Sequence, residues 1–338
     1  MSYQLFQGGR MRRRRRPWPL LGIIVLAAAV VVVALGRREH GGRGVVYHGA
    51  PAVTPSPAPL QSTPTPPAGG GTAPSPLAVR LEDPRDVVRV RFKHPPRSGL
   101  LFDVDTGRVL WRRDPTRVLP IASLTKMMTA LVVDDRVAPG SRVLITKQAL
   151  AYTGSGVGVL PKGRWIELQT MLYGLLLPSG NDAAIALAQR AAGTVRRFVR
   201  LMNARARAMG LECTHYTTPS GIQDRGNHSC ASDLAALARA VLRDRRLARI
   251  VRTRAVVRRF PIKGHKLYLY NNNPLLRAGY PGTTGLKTGY TDAAGECLVA
   301  TARRGPISLG VVLLHSPNTG SQARRLLDAG FRAERAAA

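Results

Sequence analysis

Lysine is scarce in this basic chain: seven lysines stand among 51 basic side chains, and the rest are arginine. Arginine keeps its proton in any protein, so a lysine at Lys126 says more than it would in a lysine-rich chain. Acidic residues are also few, 19 in all, which leaves a formal net charge of +32. Such a charge favours anionic surroundings, for example lipid head groups or wall polymers. Nucleic acid is not indicated, because aromatic residues make up only 5% of the chain and no nucleic-acid-binding motif is present. Cysteine is limited to Cys213, Cys230 and Cys297. At least one of the three stays outside any intrachain disulfide, and a Cys213–Cys230 bridge is permitted in an oxidising compartment. No paired Cys or His spacing suggests a metal site, so His215 and His228 read as turn or surface residues, and no metal or cofactor is expected. Internal repeats are absent.

One apolar run is long enough to cross a bilayer. Residues 10–16 hold six arginines around Met11, and Trp18 to Gly36 follow with Ile23-Ile24-Val25-Leu26 and Val30-Val31-Val32-Val33. Roughly 18 apolar residues suffice for a membrane span. The basic cluster before it predicts a cytoplasmic segment at 1–17, a single-pass anchor at 18–36 and an outward-facing remainder in a bacterial cell membrane. The alternative is a signal peptide cleaved near Ala34 or Gly36, although the run is long for one and Arg37-Arg38 follow directly. Residues 37–77 are rich in Pro, Gly, Ser and Thr and form a tether. Residues 78–338 remain for one well-buried domain.

Within that domain Val88, Val90 and Phe92 alternate with Arg89, Arg91 and Lys93, which predicts a strand over 87–93. Residues 99–104 and 108–111 flank Asp105-Thr106-Gly107 as a β-hairpin. Helical patterns follow from Ser123 onward, then at 168–177, 182–192, 195–209 and 234–242. Strands return near 255–260, 267–270, 285–288, 297–302 and 307–314, and a last helix covers about 321–327. The pattern implies an α/β (α+β) fold, with one sheet built from both ends of the domain and a helical region between.

Three short motifs carry the chemistry. The first is Ser123-Leu124-Thr125-Lys126 at the start of a helix. Residues three apart share a helix face, so the Lys126 amine lies beside the Ser123 hydroxyl. Serine is a weak nucleophile until a neighbouring base takes its proton, and a buried lysine whose charged form is disfavoured can be that base. The second is Ser179-Gly180-Asn181, in which Ser179 can relay a proton and the Asn181 amide can bond a substrate backbone in both directions. Asp182, next in the chain, starts a helix and reads as structural. The third is Lys287-Thr288-Gly289, followed by Tyr290. Lys287 supplies a cation for a substrate carboxylate, Thr288 adds a hydroxyl, and Gly289 lets a ligand approach the strand. Backbone N–H groups of Ser123 and Tyr290 are the candidates for an oxyanion hole.

Ser-x-x-Lys, Ser-x-Asn and Lys-Thr-Gly in this order resemble the D-alanyl-D-alanine carboxypeptidases of the low-molecular-mass penicillin-binding family. The likeness extends through Ile121–Met128, Ser179–Ala184, Pro219-Ser220-Gly221-Ile222 and Gly285–Thr291. It implies a β-lactamase/transpeptidase-like fold and a serine acyl-enzyme at Ser123, with Lys126 as proton acceptor and Ser179 as relay. It also implies that Lys287 holds the terminal carboxylate of a peptidoglycan stem peptide ending in D-Ala-D-Ala, and that β-lactams inhibit. A D,D-endopeptidase would use the same residues. A class A β-lactamase would need a deacylating glutamate, for which neither Glu167 nor Glu212 stands in the usual context. A wall-binding protein without activity is the remaining alternative. The chain departs from the family pattern in ending at Ala338 without a second β-rich domain, and in reading Asn227-His228-Ser229-Cys230 where relatives often have His-Tyr-Ser-Thr.

Overall fold

The computed structural model describes residues 75–82, 86–222 and 225–337. The basic N-terminus, the apolar run 18–36 and most of the expected tether lie outside them. Among the described residues no helix is long and apolar enough to cross a membrane.

The hairpin at the start of the domain forms as expected, with β1 (Ser98–Asp103) against β2 (Val109–Arg113). The helical region follows as α1 (Lys126–Arg136), α2 (Leu168–Leu176), α3 (Asn181–Ala192), α4 (Val195–Ala208) and α5 (Ala231–Arg243). A separate hairpin, β3 (Ala255–Arg259) with β4 (Lys266–Tyr270), precedes β5 (Thr283–Thr291), β6 (Gly295–Arg304) and β7 (Ile307–Ser316). The chain then enters α6 (Thr319–Ala337).

The main sheet is antiparallel in the order β2-β1-β7-β6-β5, so strands from both ends of the domain meet at β1 and β7. Their near-continuous apolar sequences follow from cover on both faces. Leu100, Phe102, Val312 and Leu314 point into the helical core, whereas Leu101, Val311 and Leu313 pack with Leu326, Leu327 and Phe331 of α6. β5 is left at the edge, with alternate backbone groups unclaimed by the sheet.

Three expectations change. Residues 87–93 are not a strand. Their alternation of buried and exposed side chains is real, but a single backbone bond, from the Val88 N–H to the Leu110 carbonyl at 2.9 Å, replaces a ladder. Phe92 instead packs edge-on against Trp111, their ring centroids 6.1 Å apart. The final helix runs well past Leu327 because Phe331, one turn on, continues its buried stripe. The end of the tether expected over 37–77 is docked: buried Arg239 donates to the carbonyls of Leu77 and Ala78, each at 2.7 Å.

Candidate active site

Ser123 lies in a 3₁₀ turn, Ala122–Thr125, that leads directly into α1. Ala122 takes a positive φ of 47°, unfavourable for an L-residue, and its surroundings hold it there. The Thr125 hydroxyl donates to the Ala122 carbonyl at 2.8 Å and accepts from Asn227 Nδ2 at 2.9 Å. Gly221 closes the turn from outside: a Cβ there would stand 1.9 Å from the Ala122 oxygen.

Lys126 is wholly buried, with Nζ 2.8 Å from Ser123 Oγ, 2.7 Å from Asn181 Oδ1 and 2.8 Å from the Ser220 carbonyl. Burial, reinforced by the nearby Lys287 charge and opposed by Asp182, holds its pKa well below the ordinary lysine value. The three partners suit a neutral amine. Two N–H bonds are directed at carbonyl oxygens that can only accept, and the lone pair is left for the Ser123 O–H. Such a pair can transfer a proton as the serine attacks an acyl carbon.

Ser179 and Asn181 precede and begin α3. Ser179 has φ of 69°, a conformation that costs a non-glycine residue about 1–2 kcal/mol. Its Oγ accepts from Lys287 Nζ at 2.9 Å. The Asn181 amide is largely engaged inside the protein: Oδ1 accepts from Lys126, and Nδ2 donates to the Thr153 carbonyl at 2.6 Å. Asn181 therefore orients Lys126 and retains one N–H bond, rather than the two-way amide that its side chain suggests in isolation. Asp182 is structural, as expected; its two oxygens accept from the N–H groups of Val157 at 2.9 Å and Gly158 at 3.0 Å.

Edge strand β5 brings the third motif alongside. A Cβ on Gly289 would lie 3.0 Å from both the Ile121 carbonyl and Ser123 N, so a side chain there would push strand and turn apart by a few tenths of an ångström. Lys287 is buried, bonded to Ser179 and to the Thr288 carbonyl at 2.7 Å, and burial lowers its pKa to about 7. The expected permanent cation is thus one that is readily neutralised. Ser123, Ser179, Thr288, Gly289 and Tyr290 line one cavity of about 490 Å³, with Lys126 and Asn181 behind its wall.

All eight residues selected from the sequence therefore converge on one place. The residues that went unassigned act through the backbone or from behind: the Ser220 and Thr153 carbonyls, and the Thr125–Asn227 pair. A side-chain motif gives no signal for a carbonyl acceptor, although Pro219-Ser220-Gly221-Ile222 stood within the family likeness. Cys213 and Cys230 form a disulfide with Cα atoms 5.6 Å apart, and Cys297 is buried in β6. Glu167 lies elsewhere, paired with Arg258 at 2.9 Å.

Comparison with known proteins agrees with this geometry. The family model described as D-alanyl-D-alanine carboxypeptidase matches residues 88–318. D-alanyl-D-alanine carboxypeptidase DacF of Bacillus subtilis is 32% identical over 246 residues, covering 70% of this chain and 62% of that protein. DacB2 of Mycobacterium tuberculosis is 36% identical over 245 residues, covering 70% of this chain and 82% of that one. The chain thus spans less than two thirds of DacF but most of DacB2. The crystal structure of the Streptomyces K15 DD-transpeptidase superposes with a TM-score of 0.68 at 29% identity, covering 72% of this chain and all of that one.

Proposed function

Because the chain belongs to the D-alanyl-D-alanine carboxypeptidase family, we propose that it is a penicillin-sensitive serine carboxypeptidase that removes the terminal D-alanine from peptidoglycan stem peptides. The observation that carries this reading is the Lys126 amine, buried and directed at Ser123 by two carbonyl acceptors.

The steps follow from the groups in place. Lys287 takes its proton back as it receives the substrate's terminal carboxylate, an opposite charge favouring the ammonium form. Ser123 Oγ attacks the carbonyl carbon of the penultimate D-alanine, and its proton passes to Lys126 Nζ. The developing oxyanion sits between the N–H groups of Ser123 and Tyr290. As the C–N bond breaks, the proton that Lys126 accepted passes by way of Ser179 to the leaving amine, so Lys126 is neutral again and an ester on Ser123 remains. Water attacks this ester and gives a proton to Lys126; the C–O bond breaks, and Ser123 recovers its hydrogen. A β-lactam acylates the same serine, but its amine stays tethered to the acyl group.

The location is part of the proposal. The arginine cluster and apolar run at 10–36 read as an uncleaved anchor, and the Cys213–Cys230 disulfide suits an oxidising compartment outside the cytoplasm. One experiment tests both parts: labelling the full-length protein in isolated membranes with benzylpenicillin, followed by intact mass. A lasting single adduct on the wild type, absent from Ser123→Ala and sedimenting with the membranes, is expected. Rapid penicillin loss without an adduct would make the protein a β-lactamase. Neither adduct nor turnover from folded protein would leave a binding role, and labelled protein in the soluble fraction would mean that the anchor is cleaved.

A further inference from the structure

Another concavity, of about 310 Å³, shares no lining residue with the catalytic cleft. It opens where the end of α5, the short helix Arg245–Val251 and the first residues of β5 and β7 come together. Arg239, Arg243, Arg252 and Arg303 line it, with Asp105 as the one acid. Asp105 pairs with Arg303 at 3.0 Å. Arg239, only 3% exposed, donates to the carbonyls of Val104 at 2.8 Å, Leu77 and Ala78 at 2.7 Å and Asp105 at 3.1 Å. One of its N–H groups remains. The side chains of Arg243 and Arg252 make no hydrogen bond or ion pair among the described residues. Ser308 lines the same cavity at 4% exposure, and its hydroxyl also has no partner among the described residues.

Cations at the ends of helices answer the dipole there, which accounts for Arg243 and Arg252 taken singly. It does not account for a buried hydroxyl left without a partner beside them, an arrangement that costs stability unless something completes it. We propose that this cavity binds a phosphate group, either inorganic phosphate or the terminal phosphomonoester of a lipid. The forks of Arg243 and Arg252 suit the oxygens of a tetrahedral dianion, and the Ser308 hydroxyl donates to a third. Asp105 gives the site a choice among anions. Hydrogen phosphate carries a P–OH that donates to the carboxylate, whereas sulfate has no proton to offer. The bound group ties together two distant parts of the chain. Arg239 holds residues 77 and 78 at the root of the N-terminal segment, and Thr284, another lining residue, begins the strand that carries Lys287. This goes beyond the carboxypeptidase reading and does not depend on it.

The test is calorimetric titration of the full-length protein in detergent, at constant ionic strength, with inorganic phosphate, sulfate and dihexanoyl phosphatidic acid. One phosphate per chain should bind with a dissociation constant of about 1 mM or below, and sulfate more weakly. Arg243→Gln and Arg252→Gln should each weaken binding by about tenfold. Ser308→Ala should weaken it by about fivefold at unchanged charge. Without phosphate that variant should melt no lower than the wild type, since the hydroxyl it loses has no partner to forfeit. Arg164→Ala with Arg259→Ala removes as much charge as the two glutamine variants combined, from a different concavity, and should leave binding unchanged. Phosphatidic acid bound without inorganic phosphate would support the lipid source, and phosphate bound alone the free anion. The proposal is overturned by sulfate binding as tight as phosphate, by wild-type affinity in Ser308→Ala or in both glutamine variants, or by an equal loss in the Arg164–Arg259 variant. Failure of both phosphate and phosphatidic acid to bind at about 10 mM, ten times the expected constant, would overturn it too.

Discussion

Two concavities of this molecule invite comparison, and the larger is the less reactive. The catalytic cleft, about 490 Å³, has two lysines behind it, each wholly buried and each held by oxygen acceptors. The other, about 840 Å³, lies between the β3–β4 hairpin and the strand at Trp165–Glu167. Arg142, Arg164, Arg259 and Lys263 line it, all solvent-exposed, and none of them enters an ion pair among the described residues. The second site has more charge and more room. The first has desolvation. Burial disfavours the charged form and turns a lysine into a base. Arginine would gain nothing from the same burial, because it does not release its proton.

The comparison can be broken most severely at Lys126. Lys126→Arg keeps a long basic side chain but replaces the proton-accepting amine with a permanent cation, so acylation by benzylpenicillin should slow by about a thousandfold or more. Stopped-flow acylation rates would check this, with circular dichroism confirming the fold; near-normal acylation would mean that a proton acceptor other than Lys126 serves Ser123.

A moderate effect is expected from pH. Burial lowers the Lys287 pKa to about 7, and kcat/KM reports the free enzyme. Above that pH the cation that receives the carboxylate is lost, so kcat/KM should fall with rising pH by up to tenfold per unit, through KM. Towards acid, protonation of Lys126 removes the base, so the rate falls there too. Lys287→Arg retains the charge and should flatten the alkaline limb. An unchanged limb in that variant would place the titration on another group.

The smallest effect belongs to the larger concavity. Arg164→Ala with Arg259→Ala should leave kcat/KM for a D-Ala-D-Ala peptide within about twofold, because exposed charges contribute little. A loss of tenfold or more would show that its charge reaches the chemistry after all.

Much of this was legible along the chain. Ser123 and Lys126 are three residues apart on one helical segment, and helical periodicity alone brings them together. The hairpin β1–β2 was marked by its turn, and α2 to α5 by their apolar spacing. The strand expected at 87–93 failed because alternation records which side chains are buried and not whether a neighbouring strand is present to pair. Asn181 was misjudged in part for a similar reason. An amide on the page has all of its hydrogen-bonding capacity free, and only the fold shows that Lys126 and Thr153 have already engaged most of it.

The sequence by itself therefore determined the reacting groups and their local geometry, since these depend on residue type and on spacings of three or fewer. The tertiary structure alone decided their protonation and alignment. The Ser220 carbonyl lies 94 positions from Lys126, and Ser179 lies 108 from Lys287. Burial at such separations is a property of the packed core, and it is burial that changes a lysine from a cation into a base.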